Sequence, residues 1–166
     1  MYTSDLKLLA AAGGGGGACR VDNRNNEYGK GQSSESGASN QCGSPDSKGG
    51  VNGHGATKSV TNSAAGGAGW LSDGHEATRG GHEGKSRVGN WIGGREAGFG
   101  GGGGSFHGGG GGGYSGGAGG VWCSGVCGGG GGGSYCRTSA NCKKESGGSP
   151  SPDGRVIITG PVGNSC

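Results

Sequence analysis

Residues 99–117 read FGGGGGSFHGGGGGGYSGG, which is two glycine runs of five and six residues with aromatic side chains at their ends. Glycine has no side chain to bury and loses the most backbone freedom on folding, so such runs stabilise neither an α-helix nor an ordinary strand. An extended left-handed helix with three residues per turn is the alternative, because its amides and carbonyls point outward and can bond neighbouring helices. The stretch therefore predicts a bundle of polyglycine II helices.

Four glycine runs of nearly equal length favour the same arrangement. They are Gly13–Gly17, Gly100–Gly104, Gly108–Gly113 and Gly128–Gly133. At ~3.1 Å per residue each run is roughly 15 to 19 Å long, so the runs can lie side by side. Aromatic rings at the run ends can cover the end of the bundle and keep water away from its backbone bonds. The predicted aromatic caps are Phe99, Phe106, Tyr114, Trp122 and Tyr135.

Composition limits the other classes of protein. Glycine is 51 of 166 residues, but proline is only 4 and no strict three-residue glycine period exists, which excludes a collagen triple helix. Disorder is the ordinary state of such a composition and stays open as an alternative. The length of 166 residues predicts a single domain over residues 1–166, and the hydrophobic content of 27% allows only a small core. The net charge of +3, with both signs mixed along the chain, indicates neither nucleic-acid binding nor a membrane-binding patch.

Seven cysteines favour an ordered, oxidised domain. Local spacing suggests three disulfides, Cys136 with Cys142, Cys123 with Cys127 and Cys19 with Cys42, although spacing alone cannot choose among the possible connectivities. Disulfides supply a constraint that so small a core cannot, and they imply an extracellular location. Cys166 is left over. With no signal peptide and no membrane span in the sequence, we expect a fragment of a longer extracellular protein.

Two segments have the pattern of β-strands. Asp5–Ala11 places Leu6 and Leu8 on one face and runs directly into the first glycine run. Residues 154–160, with the apolar sequence Val156-Ile157-Ile158, form the best strand of the chain and are its natural partner. The polar region between Ala18 and Ala65 is predicted to form long loops, in which an alanine at Gly37 should be tolerated.

The order of these features resembles a known extracellular domain. A strand leads into the first glycine run at Leu8–Gly17, and two runs separated by aromatic residues follow at Phe99–Gly117. The fourth run is followed by Ser134-Tyr135, and the last strand is Asp153–Thr159. This order is similar to that of the glycine-rich extracellular domain of the anaplastic lymphoma kinase and leukocyte tyrosine kinase receptors. The resemblance implies polyglycine helices joined to a small β-sandwich, and a unit that binds protein ligands. The first β-rich part of that domain and the kinase domain are missing here.

Two parts of the sequence contain residue types that bind metal ions. His75-Glu76 and His82-Glu83 form a near repeat of zinc or copper ligands, but helical spacing is absent and the flanking Arg79 and Lys85 oppose a cation. The pairs Cys123/Cys127 and Cys136/Cys142 could form a four-thiolate zinc site, but their spacings are too wide for a zinc knuckle, which favours disulfides. The sequence therefore predicts no metal and no cofactor.

A non-enzymatic role follows from these patterns. No Ser, His and Asp set stands out, so we expect no catalytic residues. The expected function is an extracellular binding or scaffolding module, whose partner is a protein ligand or neighbouring copies of the chain, without nucleic acid and without membrane insertion. The alternatives are a structural or adhesive filament or matrix protein and, more weakly, an ice-binding protein, since no regular row of threonine or alanine lines a face.

Overall fold

The structure is a computed structural model. It describes residues 2–3, 5, 7–18, 28–40, 47–57, 63–78, 81–87, 102–104, 107–121, 128–138, 142–144, 147 and 157. Within these ranges no helix is long and apolar enough to cross a membrane.

A two-stranded antiparallel sheet is the regular secondary structure of the described residues. Strand β1 is Ala10–Ala11 and strand β2 is Tyr135–Cys136, with Ala10 opposite Cys136 and Ala11 opposite Tyr135. The predicted opening strand is therefore shorter than expected. An isolated bridge joins Tyr2 to Leu8, and the Thr3 amide donates to the Lys7 carbonyl at 3.0 Å, so the chain turns where the strand was expected to begin.

The observed partner of β1 was not predicted. β1 pairs with Tyr135–Cys136, which follow the fourth glycine run. Ile157 is the one described residue of the predicted closing strand, residues 154–160, and its side chain is 69% exposed. The rest of the predicted closing strand lies outside the described residues.

The glycine-rich segments are held by hydrogen bonds between residues far apart in the chain. Residues 107–113 occupy a central position among them. The Gly14 amide donates to the Gly112 carbonyl, the Gly110 amide to Ala65, the Gly111 amide to Gly130 and the Gly117 amide to Gly111, at 2.8 to 3.0 Å. These bonds satisfy backbone groups that no side chain is present to shield.

Hydrogen bonds between neighbouring segments recur every third residue. The amides of Gly14 and Gly17 reach the carbonyls of Gly112 and Gly109, so these two segments run antiparallel. Five further pairs of amides, each three residues apart, donate to carbonyls that are also three residues apart. Gly129 and Gly132 donate to Gly17 and Gly14, Gly110 and Gly113 donate to Ala65 and Ala68, and Gly117 and Gly120 donate to Gly111 and Gly108. Ala64 and Gly67 donate to Gly120 and Gly117, and Gly130 and Gly133 donate to Ala118 and Ser115. A backbone with three residues per turn returns to the same neighbour at this interval, whereas the side chains of a β-strand repeat every two residues.

Close backbone approach explains why these positions are glycine. A Cβ atom on Gly110 would meet the Gly67 amide nitrogen at 2.7 Å, and one on Gly16 would meet the Gly130 carbonyl oxygen at 2.6 Å. Real Cβ atoms do not approach other heavy atoms so closely. Positive φ is not the reason: among the described glycines only Gly53 has one, at 83°, in a turn that also places Asn52 at a φ of 53°.

Within the described part of the chain, the buried apolar side chains are mainly alanine. They are Ala56, Ala64, Ala65, Ala68, Trp70, Ala118 and Val121. A methyl group is the largest side chain that most of these sites hold, because the surrounding segments bond backbone to backbone. Each buried methyl group contributes only about 1 kcal/mol to stability.

The polar region before Ala65 is partly built into this network, which corrects the expectation of long loops. The Gly37 amide donates to the Gly50 carbonyl at 2.9 Å, and the Ala118 amide donates to the Ala38 carbonyl at 2.9 Å. A Cβ atom on Gly37 would overlap the Gly116 carbonyl, so the expected tolerance of alanine at Gly37 is wrong. Buried Asn40 and Ser47 lie in the same region, with the Ser47 hydroxyl donating to the Gly119 carbonyl at 2.8 Å.

Candidate binding surface

Two predicted aromatic caps stack on each other where three segments end. The rings of Tyr114 and Tyr135 have centroids 4.6 Å apart and an interplanar angle of 28°. The Tyr114 amide donates to the Gly133 carbonyl at 2.8 Å, which fixes the end of the third glycine run against the end of the fourth. Burial, together with the nearby charge of Glu35, raises the pKa of the Tyr114 hydroxyl, so this phenol stays neutral at physiological pH.

Trp70 extends this aromatic cluster. Its amide donates to the Tyr114 carbonyl at 2.8 Å, and its side chain is largely buried. The Tyr2 ring lies 5.6 Å from the Trp70 ring, and the Arg87 guanidinium lies 5.0 Å from it. The indole ring therefore contacts both an aromatic ring and a cation.

Three exposed apolar side chains lie on the segments that carry these rings or on the turn bonded to them. Leu71 and Tyr2 are each 49% exposed, and Val51 is 54% exposed. Leu71 is close to Tyr114, because a Cβ atom on Gly53 would meet both side chains at 3.2 to 3.3 Å. The Leu71 amide donates to the Gly53 carbonyl at 2.7 Å, within the turn that carries Val51. We call the surface formed by Tyr2, Val51, Trp70, Leu71, Tyr114 and Tyr135 the aromatic end.

Other sequence-predicted site residues have mixed outcomes. The disulfide between Cys136 and Cys142 is confirmed, and it joins β2 to exposed residues 142–144. Most of the run-end glycines lie in the hydrogen-bonded segments; these are Gly13, Gly17, Gly104, Gly108, Gly113, Gly128 and Gly133. Several predicted residues lie outside the described ones, namely Phe99, Gly100, Phe106, Cys19, Cys42, Trp122, Cys123 and Cys127.

Trp70 and Leu71 were not predicted as cap residues. They follow the segment Ala64–Gly69, which contains no run of more than two glycines and was not identified as part of the bundle. A usable signal was present, because small residues followed by an aromatic residue is the pattern that marks Tyr114 and Tyr135. The alanines in Ala64–Gly69 interrupt the glycine, so the segment does not look like the four runs.

Comparison of the chain with protein-family models, with curated proteins and with solved structures gives no match.

Proposed function

We propose that this chain is a non-enzymatic extracellular module in which polyglycine II helices form a rigid bundle, and that the aromatic end binds a protein partner. The observation that carries the proposal is the exposed apolar surface of Tyr2, Val51 and Leu71 on a backbone fixed by long-range hydrogen bonds. Contiguous exposed apolar surface is costly in water and commonly marks an interaction site. The Cys136–Cys142 disulfide supports an oxidising, extracellular location.

The three-residue interval of the inter-segment hydrogen bonds supports the helix type. A preformed bundle suits binding, because the residues of the surface are ordered before the partner arrives and less entropy is lost on association. The similarity in order of features to the glycine-rich domain of the two receptor kinases supports the same class of function. An extracellular protein with a complementary apolar patch is the partner that this surface fits.

Binding to purified extracellular proteins, measured by surface plasmon resonance on the oxidised protein, tests this function. Leu71→Ser and Val51→Ser should each weaken the interaction by roughly tenfold, the loss of about 1.4 kcal/mol that marks a contributing interface residue. Tyr28→Ser is the matched control, because Tyr28 is 52% exposed but belongs to a different segment. Equal losses in all three variants would remove the aromatic end as the binding surface.

Self-association distinguishes the alternative function, a structural filament or matrix protein, from a binding module. A structural filament requires copies to add to one another, so sedimentation would show assemblies that grow with protein concentration in the absence of a partner. A monomer at all concentrations supports the binding module, whereas extended assemblies would favour the filament or matrix protein.

A further inference from the structure

A cluster of potential metal ligands lies apart from the aromatic end. One ligand atom from each of Glu76, His82 and Glu83 lies within 4.8 Å of the other two. Glu76 and His82 are exposed, and Glu83 is partly buried. These residues come from the near repeat in the sequence, but the repeat does not contribute all four of its side chains. His75 is buried, and its Nε2 lies 3.0 Å from the Ala64 carbonyl.

Backbone hydrogen bonds fix the two stretches that carry these ligands. The Gly74 amide donates to the Gly84 carbonyl at 2.9 Å, and the Ala77 amide donates to the Gly81 carbonyl at 3.3 Å. These two bonds bracket Glu76 on one stretch and His82 with Glu83 on the other. The Gly104 amide also donates to the His82 carbonyl at 3.2 Å. The backbone positions of the ligands are thus tied to the glycine network.

One lysine lies beside the cluster and is paired with carboxylates. Lys85 bonds to both Asp73, at 3.0 Å, and Glu83. One oxygen of Glu83 pairs with Lys85, and its other oxygen is available to a metal.

We propose that Glu76, His82 and Glu83 bind a divalent transition-metal ion of the Zn²⁺ class. One imidazole and two carboxylates suit zinc, whereas calcium prefers a set made of oxygen alone. Tetrahedral zinc needs ligand atoms about 3.4 Å apart, given bonds of ~2.0 to 2.2 Å. The exposed Glu76 and His82 side chains can close the remaining gap, and water completes the coordination. The bound ion would cross-link residues 74–78 to residues 81–87.

Calorimetric titration with zinc chloride tests the site. The protein is kept oxidised, its free thiols are alkylated, and metal is removed with EDTA beforehand, so that cysteine cannot supply ligands. The unchanged protein should bind one zinc ion per chain. His82→Asn and Glu76→Gln should each weaken that affinity by roughly tenfold or more. Calcium chloride should produce much weaker binding.

His54→Asn is the matched control, because His54 is also exposed but its Nδ1 lies 3.3 Å from the Ser72 hydroxyl, outside the cluster. Zinc should also shift the ring nitrogen resonances of His82 and leave those of His54 in place. No zinc binding by the unchanged protein would overturn the proposal. So would equal losses in His54→Asn and His82→Asn. Glu76→Gln keeps the test valid if His82→Asn disturbs the fold, which the amide spectrum would report.

Discussion

At the residue scale, glycines of one run differ in the space available for a Cβ atom. In Gly13–Gly17, a Cβ atom on Gly16 would meet the Gly130 oxygen at 2.6 Å, whereas one on Gly14 would come no nearer than 3.4 Å to Gly112. Both glycines donate a backbone hydrogen bond of 2.8 Å, so they differ in the space beside the α-carbon rather than in bonding. Neither has a positive φ. Gly14 and Gly16 are therefore a matched pair for measuring the cost of close backbone approach.

We expect Gly16→Ala to lower the free energy of unfolding by about 1 to 3 kcal/mol, because the added methyl forces two glycine segments apart. Gly14→Ala should be neutral or should stabilise the protein by about 0.4 to 1 kcal/mol, since alanine restricts the unfolded chain and fits the folded one. Thermal unfolding of the two variants followed by circular dichroism checks this. Equal melting temperatures would mean that the run is a linker and not a packed element.

The sequence predicts that glycine is required in these runs but not which glycines are. All five residues of Gly13–Gly17 look alike in the sequence, while the space beside four of them depends on segments more than 90 residues away and that beside Gly15 depends on Gly29. Gly37 shows the same limit. Its polar surroundings indicate a loop, yet its α-carbon packs against Gly116.

A second residue-scale prediction concerns Glu83. The hydrogen bond from Lys85 holds the pKa of Glu83 below its ordinary value of 4.5. A carboxyl whose folded pKa is lowered stabilises the fold fully above its ordinary pKa and loses that contribution as the pH falls through the folded value. In EDTA, the melting temperature of Glu83→Gln should therefore fall less than that of the unchanged protein between about pH 5 and about pH 3.

Glu76→Gln is the control for this measurement, because Glu76 is exposed and forms no ion pair with any described residue. Its pH dependence should follow that of the unchanged protein. A Glu83→Gln variant with the same pH dependence as both would show that the Lys85 pair contributes nothing to stability.

At the element scale, the β1–β2 pair and the Cys136–Cys142 disulfide form one local unit. The Arg137 amide donates to the Leu9 carbonyl at 2.9 Å, which continues the pairing beyond the two strands. The disulfide was predictable because six positions separate its cysteines, a distance that a turn closes without help from the rest of the fold. The strand pairing was not, because any extended segment can in principle pair with any other and only the tertiary fold selects one.

Replacing both cysteines, as Cys136→Ser with Cys142→Ser, should lower the free energy of unfolding by about 2 kcal/mol, since the disulfide closes a short loop. The effect should be local. Gly130 is bonded to Ala118, and Gly131 to Tyr28, so the glycine run before β2 has anchors that do not depend on the disulfide.

Hydrogen exchange separates the local effect from a global one. The Arg137 amide should lose more protection in the double variant than the Gly130 amide does. Equal loss at both positions would mean that the disulfide holds the whole bundle.

At the scale of the whole molecule, stability rests on a backbone network rather than on a large apolar core. Among the described residues the buried apolar side chains are mostly alanine, so their burial offsets little of the conformational entropy, which is roughly 1 to 2 kcal/mol per residue. Hydrogen bonds join residues 107–120 to residues 13–17, 63–69 and 128–133, and residues 13–17 to residues 128–133. The sequence indicates that the glycine runs bond to one another, but it cannot predict which runs are neighbours, because the runs have the same composition. Alanine, tyrosine and tryptophan at the segment ends are what distinguish one segment from another.

A shared network predicts cooperative opening. The amides of Gly17, Gly111 and Gly130 each donate to another segment, and the Gly117 amide donates to Gly111, at 2.8 to 2.9 Å. Because no one of these segments can leave without breaking the bonds of its neighbours, their amides should exchange only through global unfolding and report the same free energy. The exposed Gly15 provides the comparison within the same run, since its amide has no acceptor among the described residues and should exchange rapidly. Native-state exchange by nuclear magnetic resonance measures all five amides in one experiment. If Gly111 and Gly117 exchanged as fast as Gly15, the runs would behave as a flexible low-complexity chain, and the proposed rigid binding module would have no scaffold.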